Sequence, residues 1–290
     1  NYMPELPEVE VVKRSLKKEI NTLTIQKIIV NTKSLRYPIN RKQLNNTVAK
    51  KITSVKRRSK YLMIGLDDNL VILIHLGMTG KFFIVNHKNE KKKTSFYYDL
   101  KDGNVKHNHI VFYLSKNKKL IYNDVRKFGF IKILKKKDLK KNSHLKLLGP
   151  EPLSKELNVN YFKDYISKRD RNIKNILMDQ KFISGLGNIY VNEVLFLSKI
   201  NPKRKVISIK KREILRIIKS IKKILAESIK KGGSSIKNFE GVKGKSGTFQ
   251  QKFNVYSRKG ERCKRNGCKG VVTKTNISNR STFFCRSCQK

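Results

Sequence analysis

Apolar residues recur at helical spacing near the start of the chain. Val9, Val12, Leu16 and Ile20 make one apolar face, and Pro7 suits a first helical position. From about Ile25 to Leu134 the pattern shortens to β-prone runs. Tyr61–Leu66, Leu70–His75, Lys81–Val85, Phe96–Leu100, His109–Leu114 and Leu120–Tyr122 read as strands, with Asp67-Asp68-Asn69 as a turn between two of them. Many short strands without helices between them predict an antiparallel sandwich or barrel. Gly149-Pro150-Glu151-Pro152 breaks that pattern and marks a boundary. Helices are expected beyond it at Tyr161–Lys168, Asn172–Asp179 and Asn188–Ser198. A long amphipathic helix is expected over Ile209–Lys230, with Ile214, Ile217, Ile218, Ile221, Leu225 and Ile229 on one face. Gly232-Gly233 should end it, and the Gly- and Ser-rich stretch Ser234–Gly247 should be a mobile loop. The expected class is α+β. Residues 1–148 would form an antiparallel β-sandwich carrying the N-terminal helix, residues 149–248 a helical domain, and residues 249–290 a hairpin tail.

The chain has 290 residues, enough for two domains or one large one, and 38% of them are hydrophobic, so a sizeable core can be buried. Its 68 Lys and Arg against 21 Asp and Glu give a formal net charge of +47. A polyanionic partner is implied, nucleic acid first and an anionic membrane surface second. The lysines are spread throughout, in runs such as Lys91-Lys92-Lys93 and Lys135-Lys136-Lys137. A binding footprint is normally clustered, so about half of the excess is assigned to compositional bias. Charge therefore names a class of partner but no chemistry. No apolar run is long enough to predict a transmembrane helix, and the start Asn1-Tyr2-Met3 does not read as a secretory signal, so a cytoplasmic protein is expected.

All four cysteines lie after position 262. Cys263 and Cys268 are separated by four residues, Cys285 and Cys288 by two. Two close pairs joined by a short β-prone link suit one Zn2+ held by four thiolates, a structural rather than catalytic site because no position is left for water. Such a metal would hold a hairpin too short to fold alone, with Asn279-Arg280-Ser281 at its tip. Zinc ribbons also serve ribosomal proteins and transcription factors, so the motif does not select one function.

Met3-Pro4-Glu5-Leu6-Pro7-Glu8-Val9-Glu10 is the strongest local signal. Removing Met3 and everything before it would give Pro4 a free secondary amine, with a pKa near ~8 that leaves a useful fraction unprotonated. That amine can attack a sugar C1′ and form an iminium, which ejects the base and acidifies the C2′ proton. Glu5 beside it can act as acid or base. Alone, these residues also fit an ordinary proline-rich helix start.

Further stretches extend the signal: Arg58-Ser59-Lys60-Tyr61-Leu62, His75-Leu76-Gly77-Met78-Thr79-Gly80, Asn123-Asp124-Val125-Arg126-Lys127-Phe128-Gly129, Leu148–Leu153, Gly185–Glu193, Val255–Gly260 and Phe284–Lys290. In this order, and over essentially the whole chain, they resemble the formamidopyrimidine-DNA glycosylase family. The related endonuclease VIII group usually begins Pro-Glu-Gly-Pro-Glu, so Leu6 favours the formamidopyrimidine branch. The resemblance implies a bifunctional DNA glycosylase and abasic-site lyase, monomeric, acting on double-stranded DNA that contains oxidised purines or abasic sites. It implies a helix–two-turn–helix element in the helical domain and a zinc-finger hairpin. By the same resemblance Pro4 is the nucleophile, Glu5 the acid/base, and Lys60 the phosphate-contacting lysine that assists elimination. Arg280 is a catalytic residue that grips the phosphates flanking the flipped nucleotide and assists the second elimination. Met78, Arg126 and Phe128 are the wedge that fills the hole left by that nucleotide. Asn188 binds a phosphate at a helix N-terminus that it would cap, while His75, His107, Lys174 and Tyr256 are further phosphate contacts. The stretch Ser234–Gly247 corresponds to the family's loop over the damaged base.

The chain departs from the family in three places. Asn1 and Tyr2 precede Met3, and if they stay attached Pro4 is an amide. The first cysteine pair has a four-residue spacer where two is usual. Val125 and Lys127 stand where Pro and Arg are common. Two rival readings accompany these departures: an oxidised-pyrimidine glycosylase of endonuclease VIII type, and a catalytically inactive damaged-DNA-binding protein. A generic zinc-ribbon binder would have no use for the Pro4-Glu5 start.

Overall fold

A computed structural model of the chain describes residues 4–240 and 253–290. Asn1–Met3 and much of the expected lesion-covering loop lie outside those residues. Helix α1 (Leu6–Ile20) opens with a reciprocal capping box between Glu5 and Glu8, in which the Glu5 N–H donates to Glu8 Oε2 at 2.8 Å. Pro7 falls in its first turn, and Leu6, Val9, Val12, Leu16 and Ile20 are buried.

Nine strands follow in the described chain: β1 (Ile25–Val30), β2 (Ile52–Arg58), β3 (Tyr61–Leu66), β4 (Leu70–His75), β5 (Gly80–Val85), β6 (Lys91–Lys93), β7 (Asn108–Leu114), β8 (Lys118–Asp124) and β9 (Phe130–Lys135), with a short α2 (Arg41–Asn45) after β1. They form two antiparallel sheets, β1-β7-β8-β5-β6 and β2-β3-β4-β9. Alternate residues of both sheets meet in one core with α1, among them Leu62, Ile64, Ile72 and Ile74 from one and Phe82, Ile84, Phe112 and Leu120 from the other. This is the expected sandwich.

One expected strand is absent. Residues 96–98 form no ladder, although Phe96 and Tyr98 are buried. Strand β6 pairs with β5 only over Phe83–Val85, so the carbonyls of Gly80 and Phe82 need other donors. Tyr97 donates its hydroxyl to Gly80 O, and Tyr98 and Thr94 donate theirs to Phe82 O. The β-prone residues thus complete the sheet edge with side chains instead of backbone.

Helices α3 (Val159–Ile166), α4 (Ile173–Met178), α5 (Asn188–Leu197) and α6 (Lys211–Glu240) follow. The turns between α4 and α5 are pinned by Gln180, which donates to Leu186 O at 2.7 Å and accepts from Gly185 N–H at 2.8 Å. Helix α6 runs to Glu240, ten residues beyond the expected end at Lys230. A Cβ on Gly232 would lie 2.2 Å from the Phe96 ring, so this glycine serves close packing, not helix termination. The stretch from Ser234 to Glu240, expected in the loop, is helical. A hairpin of β10 (Val272–Ile277) and β11 (Arg280–Cys285) ends the chain. Its turn residues Ser278 and Asn279 both have positive φ, which matches the twist of a two-residue hairpin.

The chain divides into two compact units, Asn1–Lys146 with Ile229–Phe249, and Leu147–Ser228 with Gln250–Lys290. The hairpin therefore belongs to the same compact unit as helices α3 to α5.

Candidate functional site

In the first unit Pro4 and Glu5 are buried at the start of α1. Ser95 donates its hydroxyl to Glu8 O at 3.1 Å, which fixes this end of the helix. One turn further on, Glu10 accepts from Lys13, Arg14 and Arg57 at 2.8–2.9 Å. Burial would raise its carboxyl pKa, but those three hydrogen bonds outweigh burial and hold it below the usual range. Arg57 also donates to Ser59 O at 2.7 Å. Ser59, at φ +55°, and Lys60 form the tight β2–β3 turn. A chain of charge-assisted bonds therefore runs from α1 through Glu10 and Arg57 to the turn bearing Lys60.

His75 pairs across the ladder with Tyr61, next in sequence to Lys60. Its ring stacks on Phe130, with centroids 5.7 Å apart. Burial, then the nearby charges of Lys60 and Arg36, depress its pKa to about 4. The ring is neutral, and Nδ1 accepts from Gly77 N–H at 3.0 Å. That arrangement leaves the proton on Nε2.

Met78 lies in the loop between β4 and β5, and Arg126 and Phe128 in the loop between β8 and β9. Phe128 is 45% exposed, with the Arg126 guanidinium 4.5 Å from its ring centroid. An exposed aromatic with a cation stacked on it presents both apolar surface and hydrogen-bond donors. His107 ends a short 3-10 turn, half-buried, with its ring 6.3 Å from that of the buried His109. These residues all belong to the first unit.

The second unit gathers the other candidates around α5. Asn188 is the first residue of the helix and Gly187 takes the capping position, so the expected asparagine cap is corrected. The Asn188 amide instead donates to Ser281 O on the hairpin at 3.0 Å. Lys174 is 1% exposed, and its ammonium donates to Thr282 Oγ1 at 2.6 Å and Ser281 O at 3.2 Å. Burial, and then the Arg280 charge, lower its pKa to about 8. Arg280 itself is exposed at the start of β11. A cleft of about 380 Å3 lies between α4 and the hairpin, lined by Arg171, Lys174, Asn175, Gln180, Ser278 and Arg280. Tyr256 packs edge-to-face on Phe283.

Sequence reasoning gave Glu193 no role. It is the one acid in α5 and is buried. Its carboxylate accepts from the backbone N–H groups of Asn254, Val255 and Tyr256 and from the Asn254 amide, at 2.8–2.9 Å. A lone acid in an apolar helix of a basic chain was the available signal. Asn192 likewise accepts from Phe283 N–H at 2.7 Å. Adjacent residues of α5 thus fix the segment bearing Tyr256 and the strand that begins at Arg280.

The four cysteine sulfurs lie within 4.8 Å of one another. Cys263 Sγ is 3.8 Å from Cys288 Sγ, and Cys268 Sγ 3.7 Å from Cys285 Sγ. These separations are far too long for disulfides. They equal the edge of a sulfur tetrahedron, about 3.8 Å for metal–sulfur bonds of ~2.3 Å. Phe196, Val255, Val272 and Phe283 form the small core around the cluster. The long first spacer is accommodated by Arg265, whose guanidinium lies 4.6 Å from the Phe196 ring centroid and donates to Phe196 O at the end of α5. The donor set and spacing fit one metal ion.

Residues 3–131 match the formamidopyrimidine-DNA glycosylase N-terminal domain family, and residues 148–240 the formamidopyrimidine-DNA glycosylase H2TH domain family. The formamidopyrimidine-DNA glycosylases of Rhodopseudomonas palustris and Roseobacter denitrificans are each 36% identical to the chain, with 99% of it and 100% of each relative covered. Among solved structures, the Lactococcus lactis formamidopyrimidine-DNA glycosylase bound non-covalently to DNA containing an abasic site superposes with a TM-score of 0.80 at 31% identity. The same enzyme with Fapy-dG-containing DNA gives 0.81 at 33%, and both cover 99% of this chain and 100% of that one.

Proposed function

The chain belongs to the formamidopyrimidine-DNA glycosylase family, and from that premise we propose that it is a bifunctional DNA glycosylase and abasic-site lyase of base excision repair. Its substrates are oxidised purines, 8-oxoguanine and formamidopyrimidines, in double-stranded DNA. The observation that carries this reading is the buried Pro4-Glu5 pair at the head of α1, linked through Glu10, Arg57 and Ser59 to the turn of Lys60. With Asn1–Met3 removed, the Pro4 amine attacks C1′, the bond to the base breaks, and the base departs with a proton. The sugar ring then opens as the C1′–O4′ bond breaks and O4′ takes up a proton, which leaves an iminium at C1′ and makes the C2′ proton acidic; its loss breaks the C3′–O bond, and a second elimination breaks the C5′–O bond. Glu5 moves protons at the sugar, and Lys60 and His75 hold the adjacent phosphate. Met78, Arg126 and Phe128 fill the space of the flipped nucleotide. Asn188, Arg280 and Tyr256 grip phosphates from the second unit, where Lys174 acts through the hairpin residues Ser281 and Thr282 that it holds, and His107 adds a contact from the first unit.

Cys263, Cys268, Cys285 and Cys288 would hold one structural Zn2+, which supplies folding energy to the hairpin and takes no part in catalysis. No described helix is long and apolar enough to cross a membrane. A monomer in the cytoplasm, beside the chromosome, completes the proposal.

Borohydride trapping on a duplex with 8-oxoguanine opposite cytosine tests the chemistry. Protein verified by mass to begin at Pro4 should form a covalent band, and protein that keeps Asn1–Met3 should not. A Pro4 chain that traps neither this lesion nor a bare abasic site would overturn the lyase reading and leave a DNA-binding relative.

A further inference from the structure

The three wedge residues sit on two separate loops that link the sheets at one corner of the sandwich. Residues 76–79 pass from β4 in the four-stranded sheet to β5 in the other, and residues 125–129 return from β8 to β9. Ladder pairing brackets the corner on both sides, with His75 opposite Phe130 and Gly80 opposite Asp124. Between those brackets no strand register fixes one loop against the other.

What joins them is a set of side-chain bonds. Thr79 donates its hydroxyl to Asp124 Oδ1 at 2.5 Å and accepts from Arg126 N–H at 3.0 Å. The other oxygen of the fully buried Asp124 accepts from Gly129 N–H at 2.9 Å and from the Tyr122 hydroxyl at 3.1 Å. One carboxylate therefore closes both ends of the Arg126–Phe128 loop, and one hydroxyl carries that order across to the Met78 loop. The loops also touch backbone to backbone, since a Cβ on Gly77 would lie 2.4 Å from both Gly129 N and the Phe128 carbonyl carbon.

We infer that Thr79 is the positioning residue that keeps the two wedge loops in register, so that extrusion of a stacked base depends on its hydroxyl. This rests on the glycosylase reading above. Without the hydroxyl, Arg126 N–H loses its acceptor and Asp124 loses one donor, while Gly129 and Tyr122 still hold the carboxylate. The loops persist and Gly77 still packs against Phe128 and Gly129, but the hydrogen bond that ties Arg126 to the Met78 loop is lost. A lesion already unstacked has no need of that register, and a lesion inside an intact duplex does.

The test compares full-length wild type with Thr79→Val, Thr79→Ala and Thr79→Ser, all verified to begin at Pro4. Single-turnover excision of 8-oxoguanine is measured in a fully paired duplex and in the same strand opposite a run of mismatches. In Thr79→Val the ratio of paired to mismatched rate should fall roughly tenfold or more, the scale of one lost hydrogen bond to a charged group. Thr79→Ala, which adds no bulk, should follow it, and Thr79→Ser, which keeps the hydroxyl, should restore the ratio. An unchanged ratio in both Val and Ala would overturn the inference and leave the glycosylase reading standing. Equal loss on both substrates, or no rescue by serine, would reduce Thr79 to a merely structural residue. Wild type inert on both substrates would overturn the glycosylase reading itself.

Discussion

His75 shows how a single side chain is set by its surroundings. An ordinary histidine titrates near 6.5, and this one is pushed down to about 4 by burial and by Lys60 and Arg36. His144, which also faces it, is depressed in turn by burial and by Lys132 and Arg36. The consequence for stability follows from linkage. Between pH 6.5 and 4 the unfolded chain binds a proton at this site and the folded chain does not, so stability falls as pH drops through that window. The contribution is fully present above pH 6.5 and amounts to at most about 3 kcal/mol. His75→Gln should flatten the pH dependence of urea unfolding between pH 7 and 5. An NMR titration in which the His75 ring gains its charge near pH 6.5 would contradict the burial argument.

At the scale of elements, the strands were legible from short apolar runs, alternating or continuous. The expected Tyr61–Leu66 coincides with β3, whose burial alternates, and Leu70–His75 with β4, whose four central residues are all buried. Phe96–Leu100 misled because its phenols, and not its backbone, complete the edge of β5. Gly232 misled because a glycine reads as a helix stop when it is in fact making room for Phe96. The four cysteines were legible from spacing alone, and their sulfurs do converge. Glu193 was not, since a buried acid is recognised by the donors facing it, and these come from residues 254–256, far off in sequence. Its role yields an expectation about α5. Gln at this position keeps one acceptor oxygen and turns an N–H toward donors. Glu193→Gln should therefore destabilise the second unit by about 2–4 kcal/mol. Hydrogen exchange at the Val255 and Tyr256 amides should quicken before the β-sandwich opens. Unchanged protection there would mean that the carboxylate is not what holds the segment.

For the whole molecule the question is how much of the +47 charge serves DNA. Counterion release answers it, because only cations that sit on phosphates contribute, each adding about −0.9 to the slope of log Kobs against log salt. The exposed or half-buried cations proposed to touch DNA are Lys60, Arg126 and Arg280. Lys174 has its ammonium committed to Ser281 and Thr282, while His75, Asn188 and Tyr256 donate without a charge. Within the first unit, some of the remaining lysines lie at the other end of the sheet that carries His75. Lys135–Lys137, for example, adjoin Leu70, at the opposite end of β4 from His75. If the proposed contacts are nearly complete, binding to an abasic-site duplex should show a slope of about −3. A slope steeper than about −8 would mean that lysines outside the motifs form part of the footprint, and that the charge is a second, diffuse binding surface. A slope near zero would remove phosphate gripping from the proposed function altogether.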